Sequence, residues 1–145
     1  LAARGCIPPG TRILATDIDS QMIAVARTGA VDAARCAGME ERHVAFLRSS
    51  RGGRRSLPRA AFQAVAFRQL NLLEPWPMRS RFDAIFCRNV MIYFSAATKA
   101  RLMERLAAQL APGGYLYLGH AEALLDRVPG LRSCGGTIYC REELP

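Results

Sequence analysis

Apolar and polar positions follow two rhythms along the chain, and each change of rhythm marks the end of an element. Short apolar runs bounded by Gly, Pro or an acid read as buried strands, and apolar residues three and four apart read as helix faces. Arg12 to Asp17 (RILATD) is such a run and ends on an acid. Asp19 or Ser20 then caps a helix from Gln21 to Thr28 by accepting a hydrogen bond from an unpaired backbone N–H of its first turn. Met22, Ile23 and Ala26 make its apolar stripe, and Gly29 suits the left-handed residue that closes it. Val65 to Leu70 reads as a strand with Asn71 directly after it, and Pro75, Trp76 and Pro77 form a loop. Phe82 to Cys87 (FDAIFC) is almost wholly apolar, as in a parallel-sheet strand covered on both faces. Ser95 caps the longest helix, Ala96 to Leu110, in which Leu102, Leu106 and Leu110 recur every fourth position beside Met103. Pro112, Gly113 and Gly114 stop it. Tyr115 to Gly119 is the next strand, a short helix follows near Ala121 to Asp126, and Leu131 to Ser133 and Thr137 to Arg141 read as closing strands.

Residues 30 to 64 lack this clarity. Val31 to Ala37 reads as a helical turn or a loop, Val44 to Leu47 as a strand, and Arg51 to Arg55 as a turn or flexible loop around two glycines. Pro58 interrupts regular structure. The segment is expected to be an inserted sub-structure.

Strand and helix alternate on either side of it, the pattern of an α/β sheet with helices on both faces. Right-handed crossovers put the C-terminal ends of such strands on one edge, where ligands bind. Asp17, Asn71 and the pair Arg88–Asn89 each directly follow a predicted strand and are therefore expected to be neighbours.

Composition narrows the class. The chain has 145 residues, half of them hydrophobic and 22% charged, suiting one domain with one core. No apolar run approaches the roughly 20 residues that span a bilayer, and Leu1 to Gly10 lacks a secretory core. The expectation is a reduced, cytoplasmic protein without membrane insertion, and, since the first residue is Leu, a piece of a longer one. Cys6, Cys36, Cys87, Cys134 and Cys140 form no Cys-x-x-Cys pair, and only His43 and His120 could join them, so neither a disulfide framework nor a metal site is expected. The formal charge of +8 is carried almost entirely by arginine, with Lys99 the only lysine. Arg48, Arg51, Arg54, Arg55 and Arg59 cluster in the unclear segment, as a solvated loop or as a surface for an acidic partner.

The candidate chemistry sits at the strand tips. An acid there can accept hydrogen bonds from both hydroxyls of a ribose, and Asp17 is placed for this; its other reading is a helix cap, a role Asp19 and Ser20 already fill. Asn71 offers a donor and an acceptor that could read an adenine edge, or is a turn residue. Arg88 ends a very apolar strand and calls for a carboxylate partner, which a guanidinium binds with two parallel hydrogen bonds. Tyr93, four residues after Asn89, reads by itself as a core tyrosine with a satisfied hydroxyl.

The stretches ATDIDS (15–20), NLLE (71–74), FDAIFCRNVMIYF (82–94), PGG with YLYLGHAE (112–122) and GGTIYC (135–140) resemble the chemotaxis receptor methyltransferase family, CheR, in its order and near its spacing. The resemblance covers nearly the whole chain outside residues 30 to 64. It implies a class I methyltransferase (Rossmann-like) fold and S-adenosylmethionine as cofactor. It implies that Asp17 holds the ribose, that Asn71 and the backbone of Leu72 contact the adenine, that Arg88 and Asn89 lie under the methionyl part, and that Tyr93 sits beside the transferring methyl group. The catalytic residues would be Tyr93 and Arg88. His120 carries no expected role, because the family reads Gly-His-Ser-Glu where Ala121 stands here. The implied reaction is methyl-ester formation on glutamate side chains of chemotaxis receptors, with no nucleic acid involved. In the family, residues between the second and third strands form a small β-subdomain that can dock a receptor's C-terminal tail, and residues 30 to 64 occupy that slot.

The family's Gly-rich segment ending in acidic residues, which follows its first strand, and its N-terminal helical domain have no counterpart here. The first strand is central in this sheet type. Without it Arg12–Asp17 and Phe82–Cys87 lack a shared neighbour, and an unpaired apolar edge is costly. These 145 residues on their own are expected to fold poorly and to be inactive. The alternatives are a methyltransferase of the same fold with another substrate, such as a small molecule or RNA, and a non-catalytic module that binds a signalling partner through its basic face.

Overall fold

The computed structural model describes residues 8–49, 51–122 and 128–142, in two units, Leu1–Leu72 and Leu73–Pro145. In the first unit β1 (Ile13–Asp17) leads into α1 (Ser20–Ala26). Asp19 is the cap: its carboxylate accepts from the Gln21 N–H at 2.7 Å. Gly29 has φ +67°, and a Cβ there would lie 3.0 Å from the Phe62 ring, so both backbone and packing call for glycine.

Residues 30 to 56 contain a three-stranded antiparallel sheet: β2 (Ala30–Asp32), β3 (Arg48–Ser49) and β4 (Arg54–Ser56), with β4 in the middle. Three expectations change here. Val31 to Ala37 divides between the end of β2 and a 3-10 turn, Ala33–Cys36, capped by Asp32. Val44 to Leu47 is not a strand. It closes α2 (Glu41–Phe46), in which the N–H groups of His43 and Val44 both donate to the Glu40 carbonyl. Arg51 to Arg55 begins as a turn, the 3-10 segment Arg51–Gly53, but it is not a free loop, because Arg54 and Arg55 belong to the central strand. Strands of two or three residues are too short for alternation to show. Pro58 starts α3 (Arg59–Gln63), its carbonyl accepting from Phe62 N at 3.0 Å. β5 (Val65–Gln69) then pairs in parallel with β1, from Ile13 beside Val65 to Asp17 beside Gln69.

The second unit holds a four-stranded sheet ordered β6-β7-β9-β8, made of β6 (Phe82–Cys87), β7 (Leu110–Leu118), β8 (Leu131–Ser133) and β9 (Ile138–Arg141). A 3-10 turn (Met91–Tyr93) and α4 (Ala96–Gln109) connect β6 to its parallel neighbour β7. Ser95 caps α4 as expected, accepting from Thr98 N. Leu102, Met103 and Leu106 of α4 are buried, as are Leu116 and Leu118 of β7, and they form the core of this unit. The C-terminus of α4 is closed from β9: Arg141 Nη1 donates to the carbonyls of Ala107, Ala108 and Leu110 at 2.6, 2.8 and 2.7 Å. A cation at this end also opposes the helix dipole. On the loop before β6, Arg105 of α4 stacks over Trp76 at 4.2 Å.

Two readings of this unit are corrected. β7 starts at Leu110, not Tyr115: Pro112 and Gly113 lie in a bulge, where pairing jumps from Phe82–Leu110 to Ala84–Tyr115. A bulge is where a sheet tolerates proline. β6 is not covered on both faces within its unit. It is the end strand of its sheet, α4 packs on β7, and Phe86 is 71% exposed, stacked on Tyr117. Of the short helix expected near Ala121 to Asp126, Ala121 and Glu122 lie in a 3-10 turn, His120–Glu122, and residues 123–127 lie outside the described residues. No helix among the described residues is long and apolar enough to cross a membrane.

Candidate functional site

Both strands of the first unit's parallel pair end on the same edge, which carries Asp17 and Asn71. Leu70 N donates to the Asp17 carbonyl at 2.9 Å, and Gln69 Nε2 to the Ile18 carbonyl at 2.8 Å, so the tips are tied together. Asp17 is exposed. Its Oδ1 accepts from the Asp19 N–H at 2.9 Å, and its other oxygen accepts no hydrogen bond among the described residues. It is not the helix cap. Asn71 and Leu72 are half-buried and each makes interactions of its own.

The second unit presents the loop after β6. Arg88 is exposed and makes no ion pair among the described residues, so the burial that made a partner seem necessary is absent here. Tyr93 is 80% exposed, which overturns its reading as a core tyrosine. Asn89 has φ +61°, the left-handed region that non-glycine residues rarely adopt.

The loop owes its shape to a residue the sequence reading passed over. Glu122 is buried, and its carboxylate accepts four backbone hydrogen bonds. Oε1 takes Val90 N at 2.7 Å and Met91 N at 2.6 Å, while Oε2 takes Asn89 N and Gly119 N, both at 2.8 Å. Burial alone pushes this carboxyl's pKa up, but the four N–H donors outweigh it and hold it below the usual carboxylate value. Burial pushes the neighbouring Cys87 thiol up to about 11, with the Glu122 charge adding to the effect. Gly119 is required by close approach: a Cβ there would lie 2.6 Å from Glu122 Oε2 and 2.7 Å from Asn89 Oδ1. The available signal for Glu122 was a lone acid among apolar residues just past a strand end.

A parallel strand pair carrying a carboxylate and an amide at its C-terminal edge belongs to the open α/β class that binds nucleotide-like cofactors. The chain belongs to the CheR methyltransferase family: the model for the CheR methyltransferase SAM-binding domain matches residues 3–140. It is 40% identical over 144 residues to chemotaxis protein methyltransferase 2 of Pseudomonas aeruginosa, covering 94% of this chain and 51% of that protein. It is 39% identical to chemotaxis protein methyltransferase 1 of Vibrio cholerae, covering 90% and 50%, and 33% identical to the chemotaxis protein methyltransferase of Salmonella typhimurium, covering 94% and 49%. The chain thus spans about half the length of these relatives. A solved S-adenosylmethionine-dependent methyltransferase from Mesorhizobium loti overlaps with a TM-score of 0.45 at 17% identity, over 74% of this chain and 35% of that one, too loosely to bear on the site.

Proposed function

We propose that the full-length protein transfers a methyl group from S-adenosylmethionine to glutamate side chains of methyl-accepting chemotaxis receptors in the cytoplasm. The observation that carries this is the family match over residues 3–140, which takes in every proposed site residue. The donor set fits the cofactor. Asp17 keeps an uncommitted carboxylate oxygen at a strand tip, which suits a ribose diol. Asn71, with the backbone of Leu72, suits an adenine edge. Arg88 is an exposed guanidinium that suits a carboxylate, and Asn89 is its neighbour under the methionyl part.

When bound, S-adenosylmethionine supplies an electrophilic methyl carbon on a sulfonium sulfur. A glutamate, with a reference pKa of about 4.3, is already an anion at neutral pH, so the chain need supply no general base. Its residues bind and orient. Asp17 and Asn71 hold the nucleoside, Arg88 holds the methionyl carboxylate, and Tyr93 lines the place where the substrate oxygen meets the methyl carbon. The rate gain comes from alignment and from excluding water around the anion.

Calorimetry of the full-length protein with S-adenosylmethionine and S-adenosylhomocysteine tests the reading. Binding of both is expected, with loss in Asp17→Ala, together with base-labile methyl esters on receptor glutamates. Absence of binding, or undiminished binding in Asp17→Ala, refutes it.

Residues 30 to 64 are the proposed receptor contact. Arg54 donates to the Ala30 carbonyl and Arg55 to Ser49 Oγ, which fixes both on the small sheet, where they would meet an acidic tail or receptor helix. Charge reversal at both positions should weaken receptor affinity, and unchanged affinity removes the idea.

A further inference from the structure

Four backbone N–H groups converge on one carboxylate from 31 to 33 residues away in sequence, apart from that of Gly119, which is three residues away. Asn89 is left-handed (φ +61°) and Val90 right-handed (φ −111°, ψ −45°). Such a pair points successive N–H groups into one concavity, the nest that binds anions at many ligand sites. Here the anion is the chain's own Glu122.

Two consequences follow. The N–H groups of Asn89, Val90 and Met91 are committed, so they cannot receive the carboxylate of a bound amino-acid moiety. What the loop offers outward is its side chains, and Arg88 and Tyr93 are both exposed. Asparagine tolerates the left-handed region better than most side chains, and these bonds hold Asn89 there. Gly119 completes the arrangement, because any side chain there would separate Asn89 from Glu122.

We infer that Glu122 is a positioning residue that fixes the Arg88–Tyr93 loop so that Arg88 meets the cofactor carboxylate and Tyr93 faces the reacting carbon. The inference rests on the proposed function and adds to it a group that touches neither cofactor nor substrate.

The experiment uses the full-length protein and reads S-adenosylhomocysteine affinity by calorimetry beside KM for receptor. Glu122→Gln keeps the side-chain size but turns an NH2 toward two N–H donors. Its expected result is affinity weaker by about tenfold or more, with receptor KM unchanged. Glu122→Asp, which keeps both acceptor oxygens, is expected to recover part of the loss. Arg141→Ala serves as the stability control, since it uncaps α4 away from the loop, and wild-type affinity is expected of it. If Glu122→Gln does not fold, Gly119→Ala replaces it: the charge remains, but the added Cβ forces Glu122 and Asn89 apart, and the same loss is expected.

Wild-type affinity in Glu122→Gln or Gly119→Ala overturns the inference, and so does an equal loss in Arg141→Ala. Asp17→Ala, measured in parallel, separates the two levels. If it alone loses affinity, the functional reading stands and the role of Glu122 falls. If affinity survives every substitution, both fall.

Discussion

The loops after β1 and β6 both carry polar residues off the end of a parallel strand, and they are held in opposite ways. The first is held by several separate contacts: Asp17 accepts from Asp19 and Asp19 from Gln21, each across two residues, while Leu70 N and Gln69 Nε2 donate to the carbonyls of Asp17 and Ile18 from the neighbouring strand. It remains exposed. The second is held by a single buried acid far along the chain, with three of its backbone donors spent on that one group. A loop held by several separate contacts can lose one and keep its course. A loop built on one distant carboxylate stands or falls with it.

The largest break in this comparison is Glu122→Ala. It leaves four buried or half-buried N–H groups without their acceptor, and removing one partner of such an arrangement costs about 3 kcal/mol or more. Chemical denaturation of the full-length protein should show a loss of that order. A loss no larger than that of a helix-cap substitution would mean that water replaces the carboxylate and the loop is not built on it.

Acid should act on the same group more gently. The folded-state pKa of Glu122 lies below its unfolded value, so its contribution is fully present above the unfolded value of about 4.3 and is lost as pH falls through the folded one. Wild-type stability should therefore decline at acid pH more steeply than that of Glu122→Ala, which has already lost the contribution. Parallel stability-against-pH curves for the two proteins would remove Glu122 as the cause.

The same contrast decides what could be read from sequence. The Asp19 cap, the Ser95 cap and the left-handed Gly29 were legible, because cap and turn chemistry acts over one to three residues. The spans of β1, β5, β6 and α4 were legible because their apolar runs are long enough to carry a period. The small sheet in residues 30–56 was not, since β3 has two residues and β2 and β4 have three. Nor was the start of β7, since Pro112 and Gly113 normally end elements and here occupy a bulge. At the candidate site, Asp17, Asn71, Leu72, Arg88, Asn89 and Tyr93 came from position after strands and from family resemblance. The exposure of Tyr93 and the part played by Glu122 did not. Burial depends on what packs alongside, and no local pattern pairs residue 122 with residues 89 to 91.

Asp19→Ala tests the loop after β1. It removes one cap bond from the first turn of α1, a loss of about 1 kcal/mol. Denaturation midpoints should show this small step with the loop otherwise intact. A loss as large as that of Glu122→Ala would mean that the two loops are equally fragile.

The smallest expected effect gives the sharpest contrast, because one chemical change can be made at both loops. Asp17→Asn and Glu122→Gln each exchange a carboxylate for an amide. At Asp17 the Asn oxygen can still accept from the Asp19 N–H, the side chain is exposed, and the lost charge is screened by water. The stability change there should stay within about 0.5 kcal/mol. At Glu122 the amide has one accepting oxygen for N–H donors on two sides, so its NH2 must face two donors in a buried nest. Cofactor affinity should nonetheless fall in both, directly at Asp17 and through loop position at Glu122. Equal stability losses would show that the first loop depends on its charge as the second does, and the division between support from several contacts and support from one group would then fail.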